Sequence, residues 1–241
     1  MGAHGPCCAA EEPVRLTDPN GRRSDLHGRR KGRPLSALQQ SLLVDVLPRV
    51  GLPEGPLDPA ALFPGATSLA LEVGFGGGEH LASQAVAHPQ TGFIGCEPFE
   101  NGVAKLLTQV RARGLSNVRV HPDDARDILA RLPDASLSVL FVLFPDPWPK
   151  FRHHKRRFIQ ARTLDEIARI LKFGGELRVA TDHPDYAQWA LMHLMGDRRF
   201  EWAAASAADW RVRPADWVAT RYEQKAIAAG RSCVYLRFFR V

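Results

Sequence analysis

Four acids and a run of glycines mark where this chain can do chemistry. The apolar run Ser68–Val73 passes into Glu72-Val73-Gly74-Phe75-Gly76-Gly77-Gly78-Glu79. Glycines there let the backbone turn sharply and come close to a ligand, and the helix that follows presents its N-terminal amides. A dinucleotide fingerprint needs a small residue where Glu79 stands, and an acid at Glu72 would repel a pyrophosphate. The better fit is E-x-G-x-G-x-G, made by Glu72, Gly74, Gly76 and Gly78. An acid at that strand end is either tied to local backbone or meets a ligand with a cationic centre and an amino-acid head. The second case is S-adenosylmethionine. Glu97 closes the next apolar run, residues 92–96, where a carboxylate accepts hydrogen bonds from both hydroxyls of a ribose. Asp124 opens a helix as its N-cap or as the acceptor for an adenine amino group, and Asp123 beside it leaves the position open by one residue.

The fourth acid lies in a stiff loop. Residues 137–144 deliver Pro145-Asp146-Pro147-Trp148-Pro149-Lys150. Closely spaced prolines fix an extended turn. At the C-terminal edge of a sheet, such a turn presents Asp146 and the flat face of Trp148 to a planar substrate; the other reading of Trp148 is a core aromatic. Lys150, Arg152, Lys155, Arg156 and Arg157 follow, with His153 and His154 among them and no acid from Pro147 to Leu164. Cations beside an active loop are the footprint of a phosphate backbone. Two adjacent histidines without a third ligand do not make a metal site, so no metal is expected.

These loops need a frame that brings strand ends to one edge. Apolar runs at 68–73, 92–96, 117–121, 137–144 and 176–180 alternate with helical stretches at 78–87, 100–113, 124–131 and 155–172. That alternation predicts a mostly parallel sheet with helices on both faces. A helix at 185–195, a short strand near 200–203, a helix at 217–229 and a last strand at 233–240 complete it. Ser36 caps a helix carrying Leu38, Leu42, Leu43 and Val46, and the proline-rich stretch 52–65 reads as a linker.

The chain has 241 residues and a formal charge of +6, unevenly placed. Residues 41–146 carry −5 and residues 147–164 carry +6. Residues 1–35 read as a mobile basic arm in which Arg22, Arg23, Arg29, Arg30, Lys31 and Arg33 face one acid, Asp25. The arm is either a solvated tail or a segment that orders on phosphates. No apolar run approaches the roughly 18 residues of a membrane helix, and the N-terminus has no secretory pattern. Cys7, Cys8, Cys96 and Cys233 show no C-x-x-C spacing. The expected setting is cytoplasmic and reducing, with no membrane partner and no preference between monomer and homodimer.

Three segments together carry a family resemblance. Glu72-Val73-Gly74-Phe75-Gly76, then Phe144-Pro145-Asp146-Pro147-Trp148-Pro149-Lys150, then His153-His154-Lys155-Arg156-Arg157 resemble the bacterial tRNA (guanine-N7-)-methyltransferases. Ala180-Thr181-Asp182 and Thr220-Arg221-Tyr222-Glu223 match later motifs of that family in order. Phe173 and Pro98 depart from its usual proline and aliphatic residue. The resemblance implies the class I methyltransferase fold over residues 36–241, a Rossmann-like α/β sheet of seven strands with the last antiparallel. It implies S-adenosylmethionine contacts at Glu72, Gly74, Gly76, Gly78, Glu97, Asp124 and Asp146, with Asp146 also at the reacting centre. It implies substrate contacts at Lys150, Asp182, Thr220, Arg221, Tyr222 and Glu223. The target it implies is a guanine of the tRNA variable loop, and the tRNA backbone falls to Arg29, Arg30, Lys31, Arg152, Lys155, Arg156 and Arg157.

N7 of guanine carries an in-plane lone pair and needs no deprotonation, so the expected step is an in-line displacement helped by alignment and by a carboxylate near the developing charge. Asp182 and Glu223 are candidates to accept from the guanine edge, and Thr220 to donate to its carbonyl. Rival readings are a nicotinamide dehydrogenase, a methyltransferase acting on another base or an amine, and a non-catalytic tRNA-binding subunit.

Overall fold

A computed structural model of the chain describes residue 28 and residues 30–241. Ser36 opens the first helix, α1 (Ala37–Asp45), as its sequence requires. Its Oγ accepts from the Gln39 amide at 3.2 Å, and the Gln39 side chain accepts from the Ser36 amide at 3.1 Å. A short turn, α2 (Leu47–Val50), precedes the proline-rich stretch predicted as a linker, and that stretch itself holds another, α3 (Pro59–Leu62), capped by Asp58.

Strand and helix then alternate: β1 (Ser68–Val73), α4 (Glu79–Ala87), β2 (Thr91–Cys96), α5 (Glu100–Arg113), β3 (Val118–His121), α6 (Ala125–Arg131), β4 (Leu137–Leu143), a 3-10 turn (Phe151–Arg156), α7 (Ala161–Ile170), β5 (Leu171–Thr181), α8 (Pro184–Met195), β6 (Phe200–Trp202), α9 (Ala208–Arg211), α10 (Arg221–Ala228) and β7 (Val234–Arg240). The described residues form a seven-stranded sheet of order β3-β2-β1-β4-β5-β7-β6. β1 to β5 run parallel, and β7 lies antiparallel to both β5 and β6. That is the predicted class I methyltransferase arrangement.

Because helices cover both faces, the inner strands are apolar along their length rather than alternating. Leu71, Leu140, Val142, Leu177 and Val179 pack in one cluster with Ile128, Ile167 and Tyr186. Ala70, Phe93, Val120 and Phe141 pack on the other face with Leu42, Leu106 and Leu107. α1 therefore belongs to the second layer. β1 and β4 stay paired up to Val73 and Val142, but strand order reverses between them, so the connections that leave their carboxyl ends turn to opposite sides and leave a crevice, the place where open α/β sheets bind ligands.

Three boundaries differ from the sequence expectation. The helix predicted over 155–172 is a 3-10 turn and then α7, because the loop prolines hold the chain extended and α7 has its own cap at Gln160 and Thr163. β5 starts at Leu171 and bulges before Glu176, where Gly174 takes a φ of 74°. The helix predicted over 217–229 starts at Arg221, since Thr220 caps it. Among the described residues, no helix is long and apolar enough to cross a membrane.

Candidate active site at the sheet edge

β1 hands the chain to a turn in which Gly74, Gly76 and Gly78 all take positive φ. At Gly74 the φ is 66° and an added Cβ would meet nothing within 4 Å, so bare backbone faces open space there. α5 closes the turn from the side. A Cβ on Gly102 would lie 2.3 Å from the Gly76 carbonyl oxygen, so only glycine lets this helix approach.

Two acids are buried around the turn. Glu72 is 2% exposed, and its Oε2 meets the Nδ1 of His80 at 2.8 Å. His80 is itself 1% exposed, with its ring edge-on to Phe141 and near Trp217. Sequence reasoning missed His80. Its only signal was a polar ring at the start of α4, eight residues after Glu72. Glu97 accepts from the Gly76 amide at 2.7 Å and from the Phe99 amide at 2.9 Å. Burial pushes its pKa up to about 7; the two amide bonds pull the other way, and Asp146 and Glu72 add repulsion.

Asp146 completes the acid group from the far side of the crevice. It stands three residues beyond the end of β4 and reaches solvent, yet the surrounding walls desolvate its carboxyl enough to raise its pKa. The loop that carries it is strained at two non-glycine residues, Phe144 at φ 50° and Trp148 at φ 43°. The Phe144 amide ties the loop to the Ala180 carbonyl at 2.8 Å. Trp148 lies beneath the Arg156 guanidinium, 5.0 Å from the ring centre, rather than in the core.

Arg157 corrects the sequence expectation. The sequence assigns it to the tRNA backbone, but its side chain is fully buried. Its Nε donates to the Pro147 carbonyl at 2.9 Å, its guanidinium pairs with Asp185, and it stacks over Trp189 at 4.9 Å. It clamps the Asp146 loop onto α8. Its neighbours keep the predicted character: Lys150, Arg152 and Lys155 are exposed and Arg156 is half-buried.

Asp123 and Asp124 each find partners within the protein. Asp124 caps α6, accepting from the Arg126 amide at 3.0 Å and pairing with the Arg126 guanidinium at 2.9 Å. Asp123 accepts from the Asp124 amide and pairs with Arg30 at 2.6 Å. Arg30 is therefore engaged with the protein, and its carbonyl accepts from the Glu100 amide. Asn101 holds the next residues through Gly32 and Arg33. A Cβ on Gly28 would lie 4.0 Å from Oδ2 of Asp146. Gly28 thus lies beside Asp146, and residues 30–33 lie along Asp123 and the start of α5. Lys31 is exposed, and Arg29 lies outside the described residues, as does most of the arm.

The later motifs converge on the same edge. Thr220 accepts from the Glu223 amide at 3.1 Å, which leaves its hydroxyl proton to donate. Glu223 is 2% exposed and accepts from the Tyr235 hydroxyl at 2.6 Å and from Arg213 at 3.2 Å. Asp182 pairs with Arg231 at 2.7 Å. Arg221 is exposed. Tyr222 lies against the glycine turn: a Cβ on Gly76 would be 3.1 Å from its ring. Burial, then the charges of Glu97 and Asp146, raise the Tyr222 pKa. Among the described residues, no group of three His, Cys, Asp or Glu could hold a metal ion.

The residues around the crevice fit S-adenosylmethionine. Glu72 offers a deep acid for an ammonium group, Glu97 an acid at the end of β2 for ribose hydroxyls, and Gly74 an open stretch of backbone between them.

Comparison with known proteins gives the family. A methyltransferase family profile matches residues 66–236. The tRNA (guanine-N(7)-)-methyltransferase of Rhodospirillum rubrum is 54% identical over 221 residues, covering 89% of this chain and 87% of that one. The protein of the same name from Paramagnetospirillum magneticum is 54% identical over 219 residues, covering 88% and 91%. Among solved structures, an rRNA methylase from Streptococcus thermophilus superposes with a TM-score of 0.50 over 76% of this chain and 91% of that one; at 12% identity it shows the fold alone. The chain belongs to the tRNA (guanine-N(7)-)-methyltransferase family.

Proposed function

We propose that this protein transfers the methyl group of S-adenosylmethionine to N7 of a guanine in the variable loop of tRNA, acting in the cytoplasm. One observation carries the reading: the acids Glu72, Glu97 and Asp146 meet at the β1/β4 crevice, and the exposed cations Lys150, Arg152 and Lys155 begin four residues beyond Asp146. A site for a cationic cofactor and a grip for a polyanion then share one sheet edge.

S-adenosylmethionine, when bound, supplies an electrophilic methyl on a sulfonium. The residues of the chain do the rest by position. Glu72, braced by His80, takes the amino-acid head. Glu97 takes the ribose and holds the glycine turn through the Gly76 amide. Asp146 stabilises the positive charge that grows on the guanine ring. No general base is required, because the N7 lone pair is already free. Asp182 meets the guanine edge and Thr220 donates to its carbonyl. Glu223 acts from beneath: bound by Tyr235 and Arg213, it fixes the turn that presents Thr220 and Tyr222. Lys150, Arg152, Lys155 and Arg156 hold phosphates.

Incubation with unmodified tRNA and methyl-labelled cofactor tests the reading. Label is expected in tRNA; a protein that retains a dinucleotide and leaves tRNA unlabelled would overturn it.

A further inference from the structure

Phe151 presents 88% of its surface to solvent. It belongs to neither apolar cluster, so the fold gains little from it. Yet the ring meets a row of aromatic neighbours. Its centre lies 5.4 Å from that of His154, which lies 5.3 Å from Trp189, which lies 4.2 Å from His193 on α8. The 3-10 turn beneath is closed by the His153 amide on the Lys150 carbonyl and the Arg157 amide on the His154 carbonyl. Buried Arg157 then pins that turn to the Asp146 loop and to Asp185.

Lys150, Arg152 and Lys155 stand exposed on the same short segment as the ring, and no acid occurs between Asp146 and Asp165. An exposed apolar face in a run of cations matches a polyanion that also offers flat apolar faces. Nucleic acid is that polymer. Duplex RNA hides its base faces in the stack, whereas loops expose them. We propose that Phe151 is a stacking platform for an unpaired nucleobase of the tRNA, a contact that rests on the tRNA reading above and adds to its phosphate contacts.

The test uses the full chain, unmodified tRNA and a fully paired RNA duplex. In Phe151→Ala, tRNA affinity is expected to fall about tenfold, with the salt dependence of binding unchanged because no phosphate contact is lost. Phe151→Trp should bind at least as well as the parent, and the duplex should bind both variants alike. Because the ring is exposed, Phe151→Ala should melt at the parent temperature. Phe151→Ala binding tRNA within twofold of the parent overturns the inference, as does Phe151→Trp binding as weakly as alanine. Unchanged tRNA affinity with altered self-association also overturns it and assigns the ring to a protein contact. A parent protein that does not bind tRNA would instead overturn the functional reading, and this inference with it.

Discussion

Glu72 and Glu97 are 2% and 8% exposed, whereas Lys150, Arg152 and Lys155 on the same sheet edge stand in water. The acids are held one by one, Glu72 by His80 and Glu97 by two amides. The cations are held by a turn as a whole. Desolvation makes a buried acid interact strongly with a nearby cation and ties its charge to pH. Exposed cations act over about 10 Å at moderate ionic strength and are screened by salt. One half of the edge should therefore recognise its ligand by shape and protonation state, the other by summed charge. Asp146 sits where the halves meet, and Arg157 locks its loop from behind.

Asp146 should give the largest effect. Asp146→Ala and Asp146→Asn are each expected to lower the turnover of methyl transfer by about 100-fold or more, with tRNA affinity within twofold of the parent. Near-normal turnover in both would break the assignment of the charge-stabilising role to this acid.

Neutralising Lys150, Arg152 and Lys155 together should act on the other half alone. The slope of log affinity for tRNA against log salt should fall by about 1 for each lost phosphate contact, with cofactor affinity unchanged. Loss of cofactor binding in this variant would erase the distinction between the halves.

Glu97 sharpens the pH side. Its pKa lies near 7, above the usual carboxylate value, so it is protonated below that pH and loses acceptor capacity for ribose hydroxyls. Cofactor affinity should fall as pH drops through about 7, while Glu97→Gln should bind more weakly and with a flatter pH profile. The ligand-free protein should show the opposite sign. A raised carboxyl pKa favours the folded state while the group is protonated, and that contribution is lost as pH rises from the unfolded value towards 7. Affinity in the parent that is flat between pH 6 and 8 would contradict the burial argument.

The smallest effect belongs to the frame. Ser36→Ala removes the α1 cap and should cost about 1 kcal/mol of stability, read by denaturant unfolding, without altering either half of the edge.

Much of this architecture was legible because apolar runs and helical stretches alternate, and because the turn residues between them are unusual. The glycine turn, Glu97 and the Asp146 loop fall where the sequence puts them. Residues whose role depends on distant partners were not legible. Arg157 looks like its neighbours in sequence, yet Asp185 and Trp189, on a helix 28 residues later, draw it inside. Glu223 reads as an acceptor for the guanine edge, yet it is 2% exposed and its carboxylate is taken up by Tyr235 of β7 and by Arg213. Arg30 reads as an arm cation, but Asp123 lies 93 residues away in sequence and 2.6 Å away in space.

The most direct test of the central claim is the position of the transferred methyl. Unmodified tRNA incubated with the protein and S-adenosylmethionine, then treated with borohydride and aniline, should break at one guanine of the variable loop, since only the cationic N7-methylated base is labile. Methyl incorporated into tRNA without that cleavage would contradict the account.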